Sequence, residues 1–146
     1  MENTLKQIPI LIIDDNEDDI FILQRAFKRV KILNEIFVVR SGEEAVDFIY
    51  HQGKYADKKS PTPGLILLDI SMPKIDGFAV LKKLKADPIY KKIPVIMLTT
   101  SSREEDIVRS YEDGACSYIT KPTDFNEFMK AIERFEVYWT LVVKIP

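Results

Sequence analysis

Five short apolar runs recur along the chain, separated by longer segments in which polar residues dominate. The runs are residues 8–13 (IPILII), 36–39 (IFVV), 65–68 (LILL), 93–98 (IPVIML) and 116–119 (CSYI). The first, third and fourth contain almost no polar residue, which is typical of strands covered on both faces of a parallel sheet. The pattern therefore predicts five strands, with the central ones buried.

Between these runs, apolar residues recur at the spacing of one helix face. The spacing predicts helices over about residues 18–31, 42–52, 77–86 and 103–113, and a fifth after Asp124. Their apolar faces carry Ile20, Leu23, Phe27 and Val30 in the first helix, Phe78, Leu81 and Leu84 in the third, and Phe128, Ile132 and Phe135 in the fifth.

Capping signatures mark the starts of three of these helices. An acceptor side chain followed three residues later by Glu forms a capping box. The pairs are Ser41–Glu44, Ser102–Glu105 and Asp124–Glu127. Gly114 follows the fourth helix, where a left-handed glycine ends many helices.

Strands that alternate with helices predict a (βα)₅ fold of the α/β class, in which right-handed crossovers join parallel strands. We expect an open, doubly wound, flavodoxin-like sheet with strand order 2-1-3-4-5. Ligands of such folds bind outside the carboxyl ends of the strands, where the strand order reverses. The length of 146 residues fits one domain.

Polar residues follow four of the predicted strands at that edge. They are Asp14 and Asp15 after the first strand, Asp69 after the third, Thr99 and Thr100 after the fourth, and Thr120 and Lys121 after the fifth. With strands one and three adjacent, the three carboxylates share one pocket. Ionised carboxylates this close need a cation or protonation. An oxygen-only ligand set favours Mg²⁺, or alternatively Mn²⁺.

The same edge offers the parts of a phosphoryl-transfer site. Asp69 is a candidate nucleophile, because carboxylates form aspartyl phosphates. The Thr99 hydroxyl and the Lys121 ammonium group suit phosphoryl oxygens. Each residue alone has a simpler explanation, since an Asp after a strand often caps the next helix. The argument for a site is the coincidence of complementary groups at one edge.

Two further acids, Asp18 and Asp19, follow the first pair closely. They lie in the first turn of the first predicted helix, where negative charge suits the helix dipole. We expect neither to take part in chemistry.

Four segments of the chain resemble the response-regulator receiver domain of two-component signalling. They are IIDDN (12–16), LLDISMPKIDG (67–77), LTT (98–100) and YITKP (118–122), and they occur in the order of that family. The resemblance covers about residues 8–137. It implies a Mg²⁺-dependent phosphoacceptor that signals to protein partners and is not an enzyme.

The resemblance implies a role for each matching acidic position. Asp69 would accept a phosphoryl group from the phosphohistidine of a sensor histidine kinase. Asp15 would ligate the metal directly, Asp14 would ligate it through water, and the backbone carbonyl of Ile70 would add a further ligand.

The remaining matches concern the phosphoryl oxygens and the switch. Thr99 would hydrogen-bond one oxygen once Asp69 is modified, and Lys121 would pair with another. Tyr118 would change rotamer as Thr99 moves, which remodels the surface of the fourth helix, fifth strand and fifth helix. In this family the bond corresponding to Lys121–Pro122 is usually cis, and the sequence alone leaves this open.

Two other functions fit part of the pattern. A metal-dependent phosphatase with an Asp nucleophile typically carries a second Asp two residues later and a cap domain. Here that segment reads DIS (69–71), and the chain is short for a cap. A receiver-like module used only for interaction would have lost some of the reactive set, whereas all of its members are present.

Composition excludes several classes of partner. The formal net charge of −2 gives no general attraction to nucleic acid or to an anionic membrane. No segment approaches the roughly 18 apolar residues of a membrane-spanning helix. Cys116 is the single cysteine, so an internal disulfide is impossible and a reducing, cytoplasmic location is expected.

The C-terminal extension, residues 138–146, is apolar and follows the expected end of the fifth helix near Tyr138. Such a segment needs cover from its own domain or from a partner. Packing on its own domain is one interpretation, and a homodimer contact is the other. With the prolines near residues 61–63, this ending resembles the stand-alone regulators of phytochrome kinases. That resemblance implies a phytochrome-type kinase and a homodimer.

Overall fold

The computed structural model describes residues 8–29, 31–57 and 60–134. They form a five-stranded parallel sheet in the order β2-β1-β3-β4-β5, which confirms the predicted topology. The strands are β1 (Ile10–Ile13), β2 (Ile36–Val39), β3 (Leu65–Leu68), β4 (Val95–Thr99) and β5 (Ser117–Thr120). The helices are α1 (Glu17–Arg29), α2 (Gly42–Tyr50), α3 (Gly77–Lys85), α4 (Glu104–Glu112) and α5 (Phe125–Glu133).

Two layers of helices cover the sheet. Alternate residues of the central strands face α1 and α5 on one side, and the others face α2 and α3 on the opposite side. All four residues of β1 and of β3 are buried. This two-sided burial explains why these strands are apolar without alternation.

Proline sets the start of two strands later than the apolar pattern predicted. Pro9 and Pro94 directly precede β1 and β4. Proline has no N–H to donate to a strand ladder, so Pro9 and Pro94 contribute only their carbonyls, which accept from the Gly64 and Ile66 N–H groups. Helix α2 also differs from its predicted range, since it ends at Tyr50 and not at residue 52. The following residue, His51, has a left-handed backbone conformation with a φ of 56°.

The predicted helix caps are confirmed at two of three positions. Ser41 accepts from the Glu44 N–H at 2.9 Å, and Asp124 accepts from the Glu127 N–H at 3.0 Å. The capping box at Ser102 was wrong, since Arg103 occupies the cap position of α4 without a side-chain cap bond.

Several sequence predictions lie outside the described residues. These are the positions of Val30 and Phe135 on their helix faces, and the apolar extension 138–146. Within the described part of the chain, no helix is both long and apolar enough to cross a bilayer.

Candidate functional site

The sheet register brings the candidate acids together. Ile13 pairs with Leu68, so Asp14 and Asp69 leave neighbouring strands at the same level. The Asp69 N–H donates to the Ile13 carbonyl at 3.0 Å, which fixes the backbone at this point. The predicted meeting of these two acids follows directly from the parallel pairing of β1 with β3.

Asp14, Asp15 and Asp69 can each offer a carboxylate oxygen to one shared position, and these oxygens lie within 4.8 Å of one another. Asp14 and Asp69 are buried, whereas Asp15 is exposed to solvent. One oxygen of Asp69, Oδ1, is buried and has no hydrogen-bond partner among the described residues. An oxygen-only cluster with an unsatisfied buried ligand atom fits a hard divalent cation.

Burial dominates the electrostatics of the two inner carboxylates. It raises the pKa of Asp69 to about 6, with Asp14 and Asp15 adding to the rise while Lys121 and a Thr99 hydrogen bond oppose it. Burial also raises the pKa of Asp14, against the attraction of Lys121. Both carboxylates are therefore costly to ionise in the absence of a cation.

Lys121 follows β5 and reaches into the cluster. Its Nζ donates to Asp14 Oδ2 at 2.6 Å and to Asp19 Oδ2 at 2.8 Å, and lies 3.8 Å from Asp69 Oδ1. Burial by itself lowers the pKa of Lys121, but Asp14, Asp69 and Asp19 outweigh it and the net shift is upward. Asp19, which the sequence analysis assigned only to the helix start, is thus a direct hydrogen-bond partner of the lysine.

Thr99 ends β4 and is fully buried beside the acids. Its side chain hydrogen-bonds Asp69, which favours the charged carboxylate. The other two threonines at this edge, Thr100 and Thr120, are exposed to solvent. Thr99 is thus the hydroxyl that the structure places at the carboxylate cluster, as the sequence predicted.

The backbone after Asp69 is closely packed against the start of α3. The Ile70 carbonyl accepts a hydrogen bond from the Gly77 N–H at 2.9 Å. A Cβ on Gly77 would lie 2.2 Å from the Asp69 carbonyl oxygen, so only glycine fits here. The Ile70 carbonyl, predicted as a metal ligand, therefore has one lone pair already engaged.

Tyr118 on β5 contacts the loop that follows Thr99. Its hydroxyl donates to the Ser101 carbonyl at 2.8 Å. The Ser101 hydroxyl in turn donates to Asp106 Oδ2 at 2.6 Å. These bonds link the predicted switch tyrosine to the first turn of α4.

The Lys121–Pro122 peptide bond is trans. In the family that the sequence resembles, the bond at this position is usually cis.

Sequence reasoning missed the contributions of Asp19 and Asp106. Asp19 was interpreted as a helix-start acid, which it also is. The packing of α1 against α5, which brings Asp19 to the segment after β5, is what gives it a second role, and the local sequence carries no signal of that packing. Asp106 lies four residues after the Ser102 that was predicted as a cap, and it pairs instead with Ser101.

Comparison with known proteins agrees with this geometry. The family described as the response regulator receiver domain matches residues 10–133. The response regulator Rcp1 of Synechocystis is 38% identical over 137 residues, covering 94% of this chain and 92% of the relative.

Solved structures show the same likeness. The Mn²⁺-bound form of Rcp1 matches with a TM-score of 0.86 at 37% identity, covering 95% of this chain and 99% of the other. The phosphorylated cyanobacterial phytochrome response regulator RcpA matches with a TM-score of 0.86 at 35% identity, covering 97% and 99%.

Receiver domains bind a divalent metal ion and take their phosphoryl group from a kinase partner. The acidic cluster described above could hold such an ion. Membership of this family decides against the phosphatase alternative. The chain belongs to the response-regulator receiver family, and it is a phosphoacceptor signalling protein rather than an enzyme.

Proposed function

We propose that Asp69 is the phosphoacceptor and that it receives its phosphoryl group from the phosphohistidine of a sensor histidine kinase. The observation that carries this proposal is the buried Asp69 Oδ1, which has no hydrogen-bond partner among the described residues and lies 3.8 Å from the Lys121 ammonium nitrogen. A bond from an Asp69 oxygen to phosphorus would form as the phosphorus–nitrogen bond breaks. The electron pair of that bond leaves with the imidazole.

The metal of the site is Mg²⁺ in this proposal, with Mn²⁺ as the alternative. Asp14, Asp15 and Asp69 would hold this ion, which would supply positive charge to offset that of the phosphoryl oxygens. Asp15 would be a direct ligand, because it is the exposed member of the cluster and faces solvent from which the ion enters. Asp14 keeps its hydrogen bond to Lys121 and would act through a bound water.

The cluster also needs a main-chain oxygen on the segment after Asp69. The Ile70 carbonyl was predicted for this role, but it already accepts from the Gly77 N–H. The Ser71 carbonyl accepts no hydrogen bond from a described residue. We therefore favour Ser71 over Ile70 as the main-chain ligand.

After transfer, two groups hold the new oxygens. Thr99 would turn its hydroxyl from the Asp69 carboxylate to a phosphoryl oxygen, and Lys121 would pair with another. A phosphoryl group adds about −1.5 to −2 charges, so a buried ammonium group is a strong partner for it. Movement of Thr99 would alter the adjacent Ser101, whose carbonyl binds the Tyr118 hydroxyl. The output is then a population shift on the α4–β5–α5 face.

The partners are proposed at finer detail from the relatives. RcpA is a phytochrome response regulator, and this supports a phytochrome-type kinase as the phosphodonor here. We propose that residues 1–146 act as one receiver domain, with a core of about residues 8–137.

We also propose a homodimer contact through the extension 138–146, and a cytoplasmic location. Truncation after Tyr138 tests the first, since a dimer that survives unchanged in analytical ultracentrifugation would contradict it.

Intact-mass analysis tests the phosphoacceptor. We expect one base-labile phosphoryl adduct when the protein is incubated with Mg²⁺ and acetyl phosphate, and none when EDTA replaces Mg²⁺. Asp69→Asn should form no adduct. Asp18→Asn, which removes an exposed acid nearby, should form it normally. An adduct of unchanged yield in Asp69→Asn would overturn the assignment.

A further inference from the structure

Asp19 is the second hydrogen-bond partner of Lys121. The ammonium nitrogen lies 2.8 Å from Asp19 Oδ2 and 2.6 Å from Asp14 Oδ2, but 3.8 Å from Asp69 Oδ1. An ammonium group has three N–H donors, and two of them point to Asp14 and Asp19. In this arrangement Lys121 is close to the phosphoacceptor without hydrogen-bonding it.

The turn before α1 fixes the position of Asp19. Asp14 Oδ1 accepts from the Asn16 N–H at 3.0 Å, and Asn16 Oδ1 accepts from the Asp19 N–H at 3.0 Å. The Lys121 side chain is 2% exposed and that of Asp19 is 19% exposed. Charge-assisted bonds in such shielded positions are among the stronger ones. Asp18, one residue earlier, is exposed and serves as a natural comparison.

Asp19 stands apart from the carboxylates that can share a metal ion. Those are Asp14, Asp15 and Asp69. A cation among them competes with Lys121 for the Asp14 carboxylate, because both attract the same negative charge. Asp19 does not face that competition, so a cation in the cluster leaves the Asp19–Lys121 bond in place.

We propose that Asp19 is a positioning residue that holds Lys121 in the unmodified protein and competes with a phosphoryl group on Asp69 for its ammonium group. This inference rests on the proposed role of Asp69 and adds a regulatory element to the same site. An interaction shifts an equilibrium only when it is stronger in one state than in the other. The Asp19–Lys121 bond is made in the unmodified state and must weaken as the lysine moves to the phosphoryl oxygen. Asp19 therefore opposes phosphorylation.

The test compares three variants with the wild-type protein: Asp19→Asn, Asp18→Asn and Asp19→Glu. The two Asn variants remove the same charge from adjacent residues, and only one of them removes the charge that strengthens a hydrogen bond to Lys121. Asp19→Glu keeps a carboxylate that can restore it. The first measurement is the NMR signal of the Lys121 side-chain ammonium in metal-free protein. We expect its protons to exchange faster with water in Asp19→Asn, and at the wild-type rate in Asp18→Asn.

The second measurement is the acetyl phosphate concentration that gives half-maximal adduct at saturating Mg²⁺. We expect Asp19→Asn to lower this concentration by about threefold to tenfold. A change of this size corresponds to a fraction of the free energy of one charge-assisted hydrogen bond. Asp19→Glu should return it towards the wild-type value. Equal effects of Asp19→Asn and Asp18→Asn would overturn the inference, since charge alone would explain them. A raised concentration in Asp19→Asn would also overturn it.

These outcomes separate the inference from the function beneath it. A wild-type protein that forms no adduct would overturn the role of Asp69, and the inference with it. A normal wild-type adduct, with no difference between the two Asn variants, would overturn only the role of Asp19.

Discussion

Lys121 hydrogen-bonds Asp14 and does not hydrogen-bond Asp69. The ammonium nitrogen lies 2.6 Å from Asp14 Oδ2, in a pair whose side chains are only 2% and 3% exposed, but 3.8 Å from Asp69 Oδ1. The single buried cation of this site thus neutralises one inner carboxylate by direct contact and leaves one oxygen of the other without a hydrogen-bond donor among the described residues. We expect this difference between Asp14 and Asp69 to affect stability, metal binding and phosphorylation.

Removal of Lys121 should strongly destabilise the metal-free protein. Lys121→Met leaves Asp14 buried without its cation, and breaking a buried pair in this way costs about 3 to 5 kcal/mol. Urea unfolding in EDTA measures the loss. In Lys121→Met/Asp14→Asn the buried charge is gone as well, so we expect much of the stability to return. A double variant as unstable as the sum of the two single ones would show that Asp14 and Lys121 are not coupled.

Removal of the Asp69 charge should stabilise the metal-free protein at neutral pH. Burial raises the pKa of Asp69 from its ordinary 3.8 to about 6, so the folded state holds this proton more tightly than the unfolded state. Folding stability therefore falls as the pH rises from about 4 to 6, and the penalty is complete above pH 6. A rise of this size corresponds to at most about 3 kcal/mol.

The comparison is between Asp69→Asn and the wild-type protein in EDTA. We expect the variant to unfold at higher urea concentration at pH 7.5, with the difference shrinking as the pH falls to about 4.5. Asp18→Asn is the control for loss of an acidic residue and should show no such pH-dependent gain. A constant difference between Asp69→Asn and wild type at all pH values would contradict the pKa assignment.

Asp15 should contribute to metal affinity far more than to stability. It is exposed and lies at the mouth of the cluster, so Asp15→Asn should change the metal-free unfolding free energy by no more than about 0.5 kcal/mol. Loss of a direct carboxylate ligand should weaken Mg²⁺ binding by at least about tenfold. Calorimetric titration with Mg²⁺ measures this, and Asp18→Asn again provides the matched control. Wild-type affinity in Asp15→Asn would remove Asp15 from the ligand set.

The main parts of this site were predictable from sequence because they depend on strand ends. Once β1 and β3 are recognised as neighbouring parallel strands, Asp14 and Asp69 must emerge side by side. Lys121 and Thr99 follow by the same logic, since β4 pairs with β5. The positions of these side chains follow from the pairing of the strands, and the short apolar runs in the sequence predict where the strands end.

The features that the sequence did not predict are hydrogen bonds for which a side chain has more than one available partner. Asp19 satisfies the preference of a helix start for acids, and nothing local shows that α1 also directs it at Lys121. Near α4, the spacing of Ser102 and Glu105 is that of a capping box, yet Ser101 bonds Asp106 and the helix begins after Arg103. Ser101 and Ser102 were both available as hydrogen-bond partners for the first turn of α4. The Tyr118 hydroxyl binds the Ser101 carbonyl, and this long-range hydrogen bond could not be read from the local sequence.

The bond between Tyr118 and Ser101 should govern how tightly the loop after β4 is held. Tyr118→Phe removes only the hydroxyl, and with it the 2.8 Å hydrogen bond to the Ser101 carbonyl. We expect a loss of about 0.5 to 1.5 kcal/mol in unfolding free energy, the net value of one such bond. Hydrogen exchange should become faster over residues 99–106, because this loop loses its hydrogen bond to β5 and keeps only the bond from Ser101 to Asp106 within the segment.

Mass-detected hydrogen exchange before and after treatment with acetyl phosphate and Mg²⁺ measures both the loop and its response. In the wild-type protein, phosphorylation should alter exchange over residues 99–106, since we propose that Thr99 then turns towards the phosphoryl group. In Tyr118→Phe the adduct should still form, because the Tyr118 hydroxyl binds the Ser101 carbonyl and not Asp69. The change in hydrogen exchange on phosphorylation should be smaller than in the wild-type protein. Tyr111→Phe is the control, as this tyrosine on α4 is 49% exposed. A full wild-type response in Tyr118→Phe would show that the tyrosine does not transmit the state of the site to α4.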